Sequence, residues 1–209
     1  MTSAAEQGRQ EEYDRFWDAY QQSGNRTYYT YAIAGAGWND ETFKPKYPIN
    51  GGGSASCAYI FAHANITRVD MDFSTFSTIQ YLFYGNDYTT WVNVIDLKNA
   101  KNLTGFLHTA RALVTIEKII SYETSSWNNN SFQDAGNLTN VTFDGVIAKS
   151  INFQWQSKLT DASVQSIIDH LMDLTGTVAQ NLTLHKDVGA KLTDEQKAAI
   201  TARNWILVY

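Results

Sequence analysis

The chain has a single cysteine, Cys57, and two prolines, Pro45 and Pro48, among its 209 residues. One cysteine excludes an intrachain disulfide and a zinc site built from several cysteines. Because both prolines precede residue 49, the region from 57 to 160 contains none. Proline is largely confined to edge strands and bulges, so a long stretch without it is compatible with a hydrogen-bonded sheet.

Long apolar runs and clusters of basic residues are also missing. No apolar stretch approaches the roughly 18 residues that a membrane-spanning helix needs. The first residues, MTSAAEQGRQEEYDRFW, lack the basic and apolar regions of a secretory signal. The net charge is −5, and lysine and arginine are scattered along the chain. We therefore expect no signal peptide, no membrane insertion and no nucleic-acid partner.

A phrase that begins with phenylalanine recurs five times in the middle of the chain. Its copies start at Phe61, Phe83, Phe106, Phe132 and Phe153, which are 22, 23, 26 and 21 residues apart. In the first four copies an apolar-x-x-apolar-x-apolar pattern follows, filled in the first copy by Ile66, Val69 and Met71. This pattern is typical of leucine-rich repeats, whose period is about 20–29 residues. Such units cannot bury an apolar face alone, so they must stack around one shared core.

The pattern predicts an α/β fold, a short leucine-rich-repeat solenoid of about five repeats with one parallel sheet. The strands are expected within 66–72, 90–96, 114–120 and 139–145, with Val92 and Val94 pointing inward in the second copy. The third copy is irregular, because Lys118 occupies an apolar slot and the insertion SYETSSWNNN (121–130) lengthens it. Alternation along the strands predicts eight outward side chains on the concave face: Arg68, Asp70, Trp91, Asn93, Thr115, Glu117, Asn140 and Thr142.

The flanks predict caps on both ends of the repeats, which gives three segments: 1–56, 57–160 and 161–209. In the first, a helix over 6–22 places four aromatic residues on one stripe: Tyr13, Phe16, Trp17 and Tyr20. This stripe packs either on the first repeat or on a partner, which includes a second copy of the chain. The last segment alternates helix and strand patterns, and Thr193 with Gln196 predicts a capping box. We expect its first helix to run from Thr160 to Gly176.

The repeat phrases, of the form F-x-x-x-x-x-L-T-x-V, resemble the BspA-like (treponemal-type) leucine-rich repeats. The flanking phrases YDRFWDAYQQSGNR, KLTDASVQSIIDHL and LTDEQKAAI are similar to those of short leucine-rich-repeat proteins encoded by phages and prophages of gut Firmicutes. The resemblance implies a surface or virion-associated binding role, because BspA-type relatives act as adhesins. It supplies no catalytic or ligand residues. Thr89 and Lys118 depart from the repeat pattern, since both stand in leucine slots.

Residues capable of catalysis or metal binding do not form a recognisable motif. His63 and His108 each lie two residues after a repeat phenylalanine and could be neighbours in a stack, but repeat position explains this better than a metal site does. Carboxylates border the predicted sheet, although strands about 4.8 Å apart bring such groups close by chance. There is no G-x-S-x-G elbow or P-loop. We expect no enzyme activity, no cofactor and no metal.

Two functional hypotheses remain. In the first, the protein is a recognition and adhesion module, carried on a phage particle, that binds a protein or glycan on a bacterial surface. Exposed aromatic side chains favour it, with Trp91 on the concave face and Trp127 in the inserted loop as contact residues. In the second, the protein is an architectural component of a virion (tail or capsid decoration) or of a bacterial surface. The aromatic stripe of the N-terminal helix favours the second hypothesis, since an uncovered stripe seeks a partner.

Overall fold

The computed structural model of the protein describes residues 42–44 and 55–209. The helix expected over 6–22 lies outside the described residues, together with its aromatic stripe of Tyr13, Phe16, Trp17 and Tyr20. In the described part, strands dominate up to residue 153, and helices alternate with strands after it.

The fold is α/β, and its sheets are built from parallel strands. The strands are β1 (Thr42–Phe43), β2 (Ala55–Ser56), β3 (Arg68–Val69), β4 (Phe76–Thr78), β5 (Trp91–Asp96), β6 (Thr115–Ser121), β7 (Asn140–Gly145), β8 (Ile151–Phe153), β9 (Gln180–Leu184) and β10 (Trp205–Val208). A five-stranded sheet has the order β1-β3-β5-β6-β7, a three-stranded sheet the order β10-β9-β8, and β2 pairs with β4. Every pairing is parallel. The four strands expected from the repeat pattern are confirmed as β3, β5, β6 and β7.

A bulge changes which residues of β5 and β6 face the core. In β7 one residue separates the inward Val141 and Phe143, whereas in β6 two residues separate their partners, Ile116 and Ile119. The strand β5 has the same spacing as β6, because Val92 and Ile95 pair with Ile116 and Ile119. Ile95 is therefore fully buried. The prediction that Val94 points inward is therefore wrong, because the bulge rotates the strand by one residue. The bulge also moves Lys118 out of the apolar slot, and Ile119 fills that slot instead.

The turns that carry the repeat phenylalanines lie side by side and are joined by backbone hydrogen bonds. The amide of Phe61 donates to the carbonyl of Leu82 over 3.1 Å, and the amide of Thr109 donates to that of Gln133 over 2.9 Å. All five phenylalanines are fully buried, as predicted: Phe61, Phe83, Phe106, Phe132 and Phe153. The ring centroids of Phe61 and Phe83 are 5.2 Å apart, and those of Phe132 and Phe153 are 4.5 Å apart. The ring of Phe106 also contacts that of Phe132, and all five phenylalanines belong to one hydrophobic core.

Buried polar side chains tie each turn to the one before it. The side-chain amide of Asn86 donates to the carbonyls of Phe61 and Ala64 over 2.9 and 3.1 Å. The hydroxyl of Thr89 donates to the carbonyl of Ile66 over 2.7 Å. Because these bonds satisfy carbonyl groups that would otherwise be buried without a donor, a threonine is tolerated in a leucine slot.

A helix closes the open edge of the five-stranded sheet. The helix α1 (Asp161–Asp169) begins at the N-cap Thr160, and its Ser163 and Ser166 hydroxyls each accept a hydrogen bond over 2.9 Å. The donors are the backbone amides of Val141 and Phe143 in β7, so the edge strand does not present these amides to solvent. The prediction that this helix extends to Gly176 is wrong. The chain leaves the helix at His170 so that Leu171 can bridge to Ile147 in the preceding turn.

Two further helices complete the C-terminal segment, α2 (Lys186–Gly189) and α3 (Asp194–Ala202). The capping box predicted for α3 is confirmed, because Thr193 and Gln196 exchange both side-chain to backbone hydrogen bonds. None of the helices in the described part of the chain has both the length and the apolar character needed to cross a membrane.

Candidate binding surfaces

The eight residues predicted on the outer side of the sheet do lie on one surface, called the sheet face below. One row across the strands contains Arg68, Trp91, Thr115 and Asn140, which are partners in the strand register. The next positions carry Asp70, Asn93, Glu117 and Thr142. All eight side chains are at least partly exposed, whereas their neighbours Val69, Val92, Ile116 and Val141 are buried.

Trp91 is fixed in place by two charged neighbours on the sheet face. The guanidinium carbon of Arg68 lies 3.8 Å from the centroid of the Trp91 ring, a cation–π contact. On the other side, the indole Nε1 donates to Glu117 Oε1 over 2.6 Å. The indole has no other hydrogen-bond donor. The Trp91 side chain is therefore held between Arg68 and Glu117 on the sheet face.

Two carboxylates on or beside the sheet face, Asp70 and Asp144, have a lowered pKa. Asp70 accepts hydrogen bonds from Lys44 and from Asn93, each over 2.7 Å, and these bonds lower the pKa of its carboxyl. The pKa of Asp144 is also lowered, first by the backbone amide of Gly145 and then by Lys118, whose Nζ is 3.3 Å away. A general acid in glycoside hydrolysis needs a raised pKa. These two groups are therefore suited to pairing with cations.

Trp127, expected as an exposed patch in the inserted loop, is instead part of the core. Its side chain is 7% exposed, and its ring lies 5.5 Å from that of Phe132 and 5.8 Å from that of Phe106. The prediction of a loop patch is wrong, because burying a large aromatic side chain against other rings stabilises the fold more than exposing it. The insertion thus contributes Trp127 to the hydrophobic core.

A second surface lies on the turns and is rich in aromatic rings. It is a cleft of about 400 Å³, called the turn cleft below, and its lining is formed by Tyr59, Ala62, His63, Tyr81, Tyr84 and His108. Tyr59 stacks on Tyr81 with centroids 5.0 Å apart, and Tyr84 stacks on His108 at 5.5 Å. The two stacks meet nearly at right angles, with interplanar angles of 74° between Tyr59 and Tyr84 and 86° between Tyr81 and Tyr84.

Two glycines make room for these rings. A Cβ atom on Gly85 would lie 2.2 Å from the ring of His63, and one on Gly105 would lie 2.3 Å from the ring of Tyr81. Both glycines also have positive φ, +62° and +57°, which disfavours other residues. Each ring therefore lies across a position in the next turn where a side chain is absent.

The two histidines come to the same cleft, where both contact Tyr84 at centroid distances of 6.0 and 5.5 Å. The repeat position suggested that the two histidines are neighbours. They do line the same cleft, but each contacts Tyr84. Within residues 42–44 and 55–209, no group of three or more His, Cys, Asp or Glu side chains could hold a metal ion. Cys57 is no nucleophile, because burial raises the pKa of its thiol.

The tyrosines of the turn cleft were missed by the sequence analysis. The signal becomes visible only when the repeats are aligned: Y-x-x-x-H at 59–63, Y-x-x-Y-G at 81–85 and G-x-x-H-T at 105–109. These positions flank the repeat phenylalanines. The repeat pattern is defined by its apolar slots, and the tyrosines and histidines are not among them.

No protein-family model, curated protein or solved structure matches this chain. The geometry of the two surfaces and the resemblance of the repeat phrases therefore carry what can be proposed about function.

Proposed function

We propose that this protein is a BspA-like leucine-rich-repeat recognition module, carried on a phage particle, that binds a protein or glycan on a bacterial surface. The observation that carries the proposal is the sheet face, where eight partly exposed side chains from four parallel strands form one ordered surface. The protein acts without enzymatic chemistry and without a cofactor.

Two features support the leucine-rich-repeat part of the proposal. Strands β3, β5, β6 and β7 pair in register, and a phenylalanine-led turn precedes each of them. The turns are hydrogen bonded to one another, and their phenylalanines are all buried. Both features are expected of a leucine-rich-repeat solenoid, in which the concave strand face is an extended binding surface.

The composition of the sheet face supports binding to another macromolecule. Tryptophan and arginine are the residues most enriched among those that dominate binding energies, and here Trp91 and Arg68 lie in direct contact. The rest of the sheet face adds two carboxylates, Asp70 and Glu117, and four neutral polar side chains. Because Arg68 and Glu117 already hold Trp91, little side-chain entropy is lost when a partner binds.

The architectural role remains the second candidate, and the C-terminal edge strand favours it. The strand β10 lies at one edge of the three-stranded sheet, with Ile206, Val208 and Tyr209 at 52%, 42% and 54% exposure. An exposed edge with apolar side chains is suited to pairing with another chain. In this role the protein contacts structural proteins of a virion or cell surface.

The test of the recognition role is binding of the fluorescently labelled protein to a panel of gut Firmicutes cells. An Arg68→Ala/Trp91→Ala double variant should bind at least about tenfold more weakly, equivalent to about 1.4 kcal/mol, with an unchanged melting temperature. The matched control is Arg111→Ala/Trp155→Ala, which removes an arginine and a tryptophan that lie outside the sheet face. If both double variants bind like the unchanged protein, the sheet face is not the binding surface.

Association with a phage particle is tested separately. Particles induced from a host lysogen are purified on a density gradient and their proteins identified by mass spectrometry. We expect peptides of this chain in the particle fraction. Their presence only in the cell lysate would contradict the virion part of the proposal and leave the binding part intact.

A further inference from the structure

The described lining of the turn cleft is mostly aromatic. Its six residues in the described part of the chain are three tyrosines, two histidines and Ala62. These six include no carboxylate that could pair with a cationic ligand, and no lysine or arginine that could pair with an anionic one. The cleft is therefore suited to a neutral ligand.

The rings present both apolar faces and polar edges. Tyr84 is 38% exposed and forms the meeting point of the two stacks. Tyrosine has a flat apolar body with a hydroxyl at its rim, and each imidazole adds ring nitrogens as donors or acceptors. A ligand with one apolar face and hydroxyl groups around its edge matches this arrangement.

The cleft is pre-organised by the backbone. His63 lies over Gly85, and Tyr81 lies over Gly105, where a Cβ atom would collide with the rings. The turns are also held together, because the amide of Tyr59 donates to the carbonyl of Gln80 over 3.0 Å and the amide of His63 to that of Tyr84 over 3.1 Å. Rigid aromatic side chains give contact area at a low cost in conformational entropy.

The aromatic cluster extends over three successive turns and then stops. Tyr59 and His63 come from the first turn, Tyr81 and Tyr84 from the second, and His108 from the third. The next turn places Gln133 beside this end, where its carbonyl accepts from the amide of Thr109 over 2.9 Å. The rings of the turn cleft thus lie along three successive turns.

We propose that the turn cleft binds a neutral oligosaccharide, with the C–H face of one sugar ring against Tyr84 and its hydroxyl groups bonded to the tyrosine and histidine edges. Because the lining comes from three successive turns, the ligand has more than one sugar unit. A quaternary ammonium group is a poorer match, because an aromatic cage directs several ring faces at one point. Here Tyr59 and Tyr81 direct their faces at each other.

The test is isothermal titration calorimetry of the full chain with cellohexaose, chitohexaose and mannohexaose. Tetramethylammonium chloride and a heparin hexasaccharide represent the cationic and anionic alternatives. We expect at least one neutral hexasaccharide to bind with a Kd of about 1 mM or tighter. Tyr84→Ala should weaken this binding at least tenfold, whereas Tyr84→Phe, which keeps the ring, should weaken it less.

The matched control is Tyr88→Ala, which removes a tyrosine that is 53% exposed and does not line the cleft. This variant should bind the hexasaccharide unchanged, and the thermal unfolding of all three variants should show that they are folded. The assignment is overturned if none of the neutral hexasaccharides binds, if Tyr84→Ala binds as well as the unchanged protein, or if only tetramethylammonium or heparin binds.

The inference stands apart from the proposed role of the sheet face. The Arg68→Ala/Trp91→Ala variant should keep its affinity for the hexasaccharide, because neither residue lines the turn cleft. Loss of hexasaccharide binding in that variant would contradict a separate site. Failure of the cell-binding test with intact hexasaccharide binding would instead reject the sheet face alone.

Discussion

At the scale of single residues, Asp70 makes the stability of the fold depend on pH. Hydrogen bonds from Lys44 and Asn93 lower the pKa of its carboxyl below the ordinary value. Folding therefore favours the ionised form, and the stabilisation is complete above the pKa of an unfolded aspartate, about 3.9. It is lost as the pH falls through the lower pKa of the folded state.

We predict that Asp70→Asn lowers the free energy of unfolding at pH 7 by up to about 1 kcal/mol, the range of partly exposed ion pairs. The difference from the unchanged protein should narrow as the pH falls below about 4. Urea denaturation at a series of pH values measures it, and Asp87→Asn, at a more exposed ion pair, is the control. A difference that grows at low pH would contradict the assigned direction.

Phe132 is the residue at which core packing is best tested. It is fully buried, and its ring contacts those of Phe106, Trp127 and Phe153. We predict that Phe132→Ala lowers the free energy of unfolding by about 3–5 kcal/mol, as truncation of a core aromatic does. Phe132→Leu should cost less, because it leaves a smaller cavity. Chemical denaturation measures both free energies of unfolding. An equal loss for Phe132→Ala and Phe132→Leu would contradict close packing at this position.

Burial could be predicted from the sequence where a residue repeats with the period. The five phenylalanines are such residues, and all are buried. Trp127 and Val94 were misplaced because each depends on a local departure from the period, an insertion in one case and a bulge in the other. The rings around Tyr84 were missed because they meet across turns, and their positions do not follow the apolar slots.

At the scale of elements, the helix α1 acts as the end of the five-stranded sheet. We predict that Ser163→Ala/Ser166→Ala lowers the free energy of unfolding by about 2–6 kcal/mol, since each of the two amides left without an acceptor costs about 1–3 kcal/mol. The amides concerned belong to Val141 and Phe143.

Equilibrium unfolding in urea measures this loss, with Gln165→Ala on the exposed side of the same helix as the control. A double serine variant as stable as the control would mean that water replaces the hydroxyls at the edge of β7.

The strands β3, β5, β6 and β7 and the helices α1 and α3 were predicted from the sequence, because their apolar spacing and capping residues are local signals. The short helix α2 and the strand β4 were not predicted. The end of α1 was predicted too late. Ile168, Leu171 and Met172 continue a helical spacing, but the bridge between Leu171 and Ile147 draws the chain into the stack. A contact between residues distant in sequence overrides the local pattern there.

At the scale of the whole molecule, most elements contact only the strands next to them in the sheet order. Strand β6 has a strand on each side and buries Ile116 and Ile119, whereas β10 has one neighbouring strand among the described residues. Local opening is easiest where a segment has few buried neighbours. We predict that amides of β6 exchange with deuterium most slowly and those of β10 on its open side fastest. Hydrogen–deuterium exchange measured by mass spectrometry tests this, and equal protection of the two strands would contradict it.

The joint between α1 and β7 also bears on how such a chain can change in evolution. The serine hydroxyls of α1 hold the backbone amides of Val141 and Phe143, and backbone amides are the same in every strand. A final strand with a different sequence would present the same backbone amides. The two serine hydrogen bonds of α1 therefore do not depend on the side chains of the strand that they cover. Duplication or loss of a whole turn would then lengthen or shorten the molecule, and enlarge or reduce the sheet face, while the same C-terminal segment is kept.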